Sequence, residues 1–133
     1  MHIKIIYPKW RKLERQTNFN LPPHGPVVFA ATLPPYVHVS FIDENVDEVT
    51  YDEKPDLLVL SIMLSAQLLR GIEIAKEFQK MGVPVLVGGI SASLHSEELM
   101  THVDSVFTGE AEGRMEEVLN DLRKGKLAKL YNF

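Results

Sequence analysis

Apolar residues along the chain follow two periods. Ile3 to Tyr7, Tyr36 to Ile42, Leu57 to Ile62, Val83 to Val87 and Asp104 to Thr108 are short, β-branched or continuously apolar runs bounded by Pro, Gly or Asp, and each predicts a strand. Leu57-Leu58-Val59-Leu60-Ser61-Ile62 lacks polar alternation, the pattern of a central strand covered on both faces. Leu68, Ile72, Ala75 and Phe78 recur at helical steps, with Ser65 placed to cap the start and Gly82 to end the helix in a left-handed conformation. Met115, Val118, Leu119 and Leu122 mark one face of a last helix that ends near Gly125. Val27 to Leu33, almost wholly apolar between Pro26 and Pro34-Pro35, predicts a short buried crossover helix. Weaker signals predict a short helix over Ser96 to Met100, one or two irregular helical turns within the acidic Asp43 to Lys54, and a basic tail after Gly125.

Strands alternating with helices imply parallel βαβ units, and five of them predict a flavodoxin-like (Rossmann-like), doubly wound α/β sheet in the order 2-1-3-4-5. Ligands of such sheets sit beyond the carboxyl ends of the strands. That rule nominates four loops: Pro8 to Pro23, Ser61 to Ser65, Gly88 to His95 and Gly109 to Gly113. Three of them are rich in Gly, Ser and Thr, whose small side chains let backbone groups approach a bulky polar ligand.

Composition narrows the chemistry. A chain of 133 residues is the size of one domain, and a formal charge of −4 gives no electrostatic reason to expect nucleic acid or an anionic membrane. There is no cysteine, which removes disulfides, thiolate metal sites and cysteine nucleophiles from this chain. No segment reads as a signal peptide or membrane span, so a cytoplasmic domain is expected. A phosphorelay receiver needs acidic residues after the first strand and an aspartate ending the third, where Pro8-Lys9 and Ser61 stand instead. A flavodoxin phosphate loop or a dinucleotide glycine fingerprint after the first strand is also missing, since Lys9-Trp10-Arg11-Lys12-Leu13 is neither. His24 and His95 lie near the nominated edge but lack partners at metal-ligand spacing, so no metal ligand is assigned.

The remaining loops carry a resemblance. Leu58-Val59-Leu60-Ser61-Ile62-Met63, Val85-Leu86-Val87-Gly88-Gly89-Ile90-Ser91-Ala92, Ser96-Glu97-Glu98-Leu99 and Val106-Phe107-Thr108-Gly109-Glu110-Ala111-Glu112 together resemble the cobalamin-binding domain at the N-terminus of many radical S-adenosylmethionine enzymes. The resemblance covers essentially all of residues 1–133, as a single cobalamin-binding domain. It implies cobalamin bound with its dimethylbenzimidazole tail swung away from cobalt and threaded between the third and fourth strands. Ser61 would hydrogen-bond the tail, Gly88 and Gly89 would leave it room, and Met63 would stand beside it. Ser91, Thr108 and Gly109 would line the outer end, and the Pro8 to Pro23 loop, with Trp10, would lie under the corrin.

Departures accompany the likeness. Glu14 to Phe19 holds no histidine where methionine synthase relatives carry the lower cobalt ligand, so no protein nitrogen on the metal is expected. Ile90-Ser91 stands where many relatives have Pro-His, and Met63 where a leucine is common. The three-cysteine cluster motif is absent. The resemblance therefore implies a module that is not catalytic in isolation and whose partner is a radical S-adenosylmethionine catalytic domain, in the same parent chain or separate, which supplies S-adenosylmethionine and the 4Fe–4S cluster, with two roles left open for cobalamin: relaying a methyl group, as in a methyltransferase, or an accessory role. Two other readings of the residues stay open. One is a degenerate domain serving as an interaction or substrate-docking surface without cofactor. The other is an independent flavin or nucleotide enzyme on the same fold. Gly88-Gly89 also suits a tight turn, Ser61 a satisfied buried hydroxyl and Trp10 simple loop packing.

Overall fold

A computed structural model describes residues 1–11 and 22–133. Its elements run β1 (His2–Tyr7), α1 (His24–Thr32), β2 (His38–Asp43), β3 (Leu57–Ser61), a 3-10 turn (Ser65–Gln67), α2 (Leu68–Lys80), β4 (Val85–Gly88), α3 (Ile90–Leu94), α4 (Ser96–Leu99), β5 (Ser105–Thr108), α5 (Met115–Arg123) and β6 (Leu130–Asn132). The strands form one parallel sheet in the order β2-β1-β3-β4-β5-β6. The first five strands keep the order expected of the flavodoxin-like class, and a sixth extends it.

Period-two alternation divides the core between the faces. Leu57, Val59, Leu86 and Phe107 pack with α5 residues Met115, Val118 and Leu119, and Phe29 of α1 joins that face. Leu58, Leu60, Val85 and Val87 pack on the other face with Ile72, Ile74 and Phe78 of α2 and with Ala92 and Leu99 of α3 and α4. The two-sided cover accounts for the unbroken apolar run of β3. Each fully buried aliphatic or aromatic side chain contributes about 1.5–3 kcal/mol. The exposed Lys80–Glu77 pair on α2 is worth about 0.3 kcal/mol. The apolar stripe, not surface charge, therefore decides how α2 docks.

Several expectations need correction. α1 forms, but it is not buried: Pro26 is its one buried residue, and Val27 and Val28 are 53% and 44% exposed. A helix apolar on all sides presents no single face to the sheet, so half of it faces outward. Asp43 to Lys54 holds a single irregular helical turn, with the Asp47 N–H donating to the Asp43 carbonyl at 2.9 Å, and no longer helix. The Asp43 carboxylate accepts from the Asn45 N–H at 2.9 Å, a side-chain turn that competes with helix. The segment instead crosses α2, with Tyr51 against Phe78 at 5.1 Å and the Thr50 carbonyl accepting from Lys4 Nζ at 3.1 Å. Ser65 opens a 3-10 turn without a side-chain cap. Gly88 to His95 is not all loop, because α3 starts directly after Gly89. The tail after Gly125 supplies β6, paired to β5 as Val106↔Leu130, Phe107↔Tyr131 and Thr108↔Asn132. Among the described residues no helix is long and apolar enough to cross a membrane. The Glu14 to Phe19 stretch lies outside the described residues.

Two buried polar side chains behave oppositely. Tyr131 donates to Asp121 Oδ2 at 2.8 Å and accepts from the Ala128 N–H at 3.1 Å, fastening β6 to the end of α5. Burial, reinforced by the Asp121 carboxylate and opposed by the Ala128 N–H, pushes its phenol up to about 12. The Ser105 hydroxyl is fully buried and has no hydrogen-bond partner among the described residues. Tyr131→Phe is expected to cost about 1 kcal/mol in urea unfolding, and Ser105→Ala to cost nothing or to stabilise by up to about 1 kcal/mol. Because the folded phenol titrates higher than the unfolded one, the Tyr131 contribution is complete below its ordinary value of 10.0 and is lost as pH rises through about 12. Unfolding midpoints measured across that range should fall for the wild type more steeply than for Tyr131→Phe.

Candidate ligand-binding cleft

A cleft of about 190 Å³ opens at the carboxyl ends of β3, β4 and β5, on the face covered by α1. Its floor is Val59, Leu86 and Phe107, its roof Gly25, Pro26 and Phe29, and its outer wall Gly109 to Glu112. Ser61, Met63, Gly88 and Gly89 complete the inner side. Ser61 falls on this face by strand alternation from Leu57 and Val59, and it sits directly opposite Gly88 in the β3–β4 register. The ladder between the two strands continues past this point, with the Ile62 N–H donating to the Gly88 carbonyl at 2.8 Å. The space therefore lies over the sheet face, beneath α1, and not between the strand backbones as the resemblance implied.

The paired glycines do different jobs. Gly89 has φ +110 and closes onto β3, so that a Cβ there would run into the Ile62 carbonyl oxygen. That is a backbone requirement. At Gly88 a Cβ would meet Phe107 at an ordinary 3.9 Å, so the missing side chain leaves volume and relieves no strain. Gly109, at φ +90, lies against the Phe133 carbonyl and ties the outer wall to the end of β6.

Five of the eight residues expected at the site line the cleft: Ser61, Met63, Gly88, Gly89 and Gly109. Three are turned elsewhere. Ser91 is buried and its hydroxyl donates to the Met63 carbonyl at 3.0 Å, which makes it a brace for a lining residue. Thr108 Oγ1 donates to Asn132 Oδ1 at 2.7 Å, across the β5–β6 pair. Trp10 stands beyond β1, edge-on to Tyr7 at 6.0 Å. Sequence reasoning missed the α1 contribution, since Gly25, Pro26 and Phe29 meet the strand ends only through the crossover. Glu110, Ala111 and Glu112 lie within the nominated Gly109 to Gly113 loop, although none of the three was singled out as a contact.

The lining favours a flat, neutral, largely apolar group. A cavity of about 150 Å³ admits one benzene ring. The present cleft thus has room for a small fused ring, not for a macrocycle. Among the described residues no Lys, Arg or His lines it, and the charges that do are the exposed rim carboxylates Glu110 and Glu112, a poor setting for phosphate. The Ser61 hydroxyl, half-buried, has no hydrogen-bond partner among the described residues and is the polar group available to an entering ring. His95 Nε2 lies 3.2 Å from Ser65 Oγ, and no cluster of three or more metal-ligating side chains occurs among the described residues.

The two glycine roles separate in stability measurements. Gly89→Ala should cost about 2 kcal/mol or more, from the combined positive φ and carbonyl clash. Gly88→Ala should stay within about 1 kcal/mol of wild type. Thermal or urea unfolding of the pair checks this, and equal losses would contradict the assignment.

Comparisons with known proteins place the chain in a family. Residues 19–119 match the B12 binding domain family. A bacteriochlorophyllide d C-8(2)-methyltransferase of Chlorobaculum tepidum is 31% identical over 106 residues, covering 79% of this chain and 23% of the relative. A bacteriochlorophyllide d C-12(1)-methyltransferase of the same organism is 28% identical over 107 residues, covering 79% of this chain and 24% of the relative. The chain thus spans about a quarter of the length of these curated relatives. The N-terminal domain of a hypothetical protein from Thermotoga maritima superposes with a TM-score of 0.51 at 20% identity, over 92% of this chain and 99% of that one, which shows the shared fold. On the family match over residues 19–119, this chain belongs to the B12-binding domain family, and its ligand is cobalamin.

Proposed function

We propose that the chain holds cobalamin with its dimethylbenzimidazole tail displaced from cobalt and seated in the cleft, and presents the corrin to a radical S-adenosylmethionine catalytic domain for methyl transfer. When bound, cobalamin supplies a cobalt centre able to accept and donate a methyl group. The observation that carries the reading is the Ser61 hydroxyl, without a partner among the described residues, on the inner side of a largely apolar cleft. A displaced dimethylbenzimidazole is a flat apolar bicycle with one free acceptor nitrogen. Ser61 would donate to that nitrogen, and Val59, Leu86, Phe107 and Phe29 would bury its faces. The cleft is too small for the corrin, so the tail is the part of the cofactor it suits.

The catalytic half would come from elsewhere. Iron–sulfur clusters are held by cysteine thiolates, and this chain has no cysteine. The names of the Chlorobaculum tepidum relatives, both methyltransferases about four times as long as their match to this chain, support methyl transfer as the parent reaction. The module's share of that work is to bind, orient and shield the cofactor.

Absorption titration of the purified chain with hydroxocobalamin tests the reading, with cobinamide, which lacks the tail, as the control. A base-off spectrum is expected on binding. Gly88→Leu, which fills the cleft from a position without backbone strain, should weaken hydroxocobalamin binding by about tenfold or more and leave cobinamide binding nearly unchanged. Ser61→Ala should weaken it several-fold, the loss of about 1 kcal/mol for one hydrogen bond. A base-on spectrum, or equal effects of Gly88→Leu on the two corrinoids, would overturn tail insertion. A folded wild-type chain that retains no corrinoid would favour the cofactor-free docking module.

A further inference from the structure

The peptide bond between Pro8 and Lys9, where the chain leaves β1, is gripped from both sides by buried side chains that the cleft does not use. Gln67, fully buried at the start of α2, donates from Nε2 to the Pro8 carbonyl at 2.6 Å. Glu44, buried in the turn after β2, accepts the Lys9 N–H on Oε2 at 3.0 Å. The two bonds hold the two ends of one planar unit, so together they fix both its position and its rotation.

Each gripping residue is itself held. Gln67 Oε1 accepts from the Met63 N–H at 3.0 Å and the Leu64 N–H at 2.9 Å, so one amide side chain joins the β1 exit to the loop that carries Met63. Met63 lines the cleft, and its carbonyl is braced by Ser91. Arg70 Nε reaches Glu44 Oε1 at 2.8 Å, and Arg70 also pairs with Glu73. Burial alone would raise the Glu44 carboxyl, but the hydrogen bonds from Arg70 and from the Lys9 N–H outweigh it and hold the group below its ordinary value. The acceptor is therefore a carboxylate, and its bonds are charge-assisted.

We propose that Gln67 and Glu44 are positioning residues that lock the β1 exit, with Trp10, to Met63 at the mouth of the cleft, so that the geometry of the first loop and the affinity for cobalamin are coupled. The coupling half of the proposal rests on the cofactor reading above. The lock itself rests on hydrogen bonds within this chain. Fully buried Gln67 uses both ends of its amide on the backbones of two different loops, and a merely solvated helix residue would use neither.

Gln67→Glu separates the link from the packing. Once ionised, the carboxyl keeps the acceptor for Met63 and Leu64 but has no donor for the Pro8 carbonyl, and the readouts are therefore followed with rising pH until the buried carboxyl has lost its proton. Trp10, the single tryptophan of the chain, reports on the β1 exit without a label. In the ligand-free variant, Trp10 emission should shift, and amide hydrogen exchange at Lys9 should accelerate by about tenfold while core α2 amides such as Ile74 keep their protection. Wild-type emission together with wild-type Lys9 exchange would overturn the lock. With hydroxocobalamin added, the variant should bind about tenfold more weakly than wild type, and unchanged affinity would overturn the coupling. Should the wild-type chain bind no corrinoid, the cofactor reading and the coupling both fall, while the ligand-free measurements still decide the lock. If Gln67→Glu does not fold, Glu44→Ala, which removes the acceptor for the Lys9 N–H together with the Arg70 ion pair, takes its place with the same two readouts and the same overturning results.

Discussion

Gly89 approaches the backbone of β3 so closely that no side chain fits between them, and the ligand-facing edge is organised around that approach. β3 and β4 remain hydrogen-bonded up to the Ile62 N–H and the Gly88 carbonyl, so the chain leaving β4 has one residue in which to turn away. A residue without Cβ at φ +110 makes that turn, and α3 begins immediately. Because α3 begins there, Ser91 comes to lie under Met63, and the end of β4 stays low enough to leave space beneath α1. The cleft is thus a consequence of how tightly two backbones pack, with side chains added to a shape already set.

Accessibility then decides what a polar group can do. Ser61 and Ser105 are both strand serines without partners among the described residues, and both face the α1–α5 side of the sheet. Ser105 is sealed in the core, where an unmet hydroxyl only costs stability. Ser61 opens onto a cleft, where a ligand can complete it. Most other polar side chains near the edge are committed to holding backbone: Gln67 to Pro8, Met63 and Leu64, Glu44 to Lys9, Ser91 to Met63. This division, one open hydroxyl among spent ones, is what a site that orients a mostly apolar group requires.

The outer wall depends on the sixth strand. Phe133 donates its N–H to the Thr108 carbonyl at 3.2 Å, packs its ring 5.3 Å from that of the cleft residue Phe107, and lies under the Arg114 guanidinium at 4.6 Å. Tyr131 anchors the same strand to α5. The last residues of the chain therefore shape a wall whose lining residues lie some twenty positions earlier.

Much of this was legible in the residue pattern. Leu57 to Ile62 announced a central strand because two covered faces leave no polar positions, and Leu68 to Phe78 announced α2 because a helix buries one stripe. The five-strand order followed from the alternation of strands and helices, and Ser61, Gly88, Gly89 and Gly109 stood out as small residues at strand ends. β6 was not legible, since three residues are too few to show a period and their stability comes from Tyr131 finding Asp121 and Ala128. Nor was the stop after a single helical turn at Asp43, where a local side-chain turn and Glu44's commitment to Arg70 outweighed any further helical tendency. The sequence by itself determined the fold class, the order of the first five strands and the small residues at the strand ends that line the cleft, because these depend on periodicity and on backbone permissions local to each segment. Only the tertiary structure decided that α1 roofs the cleft, that Ser91 braces Met63 while Thr108 reaches Asn132 of β6, and that Gln67 and Glu44 seize one peptide of the β1 exit. Those outcomes depend on which distant groups meet across the sheet edge, and no local pattern records that.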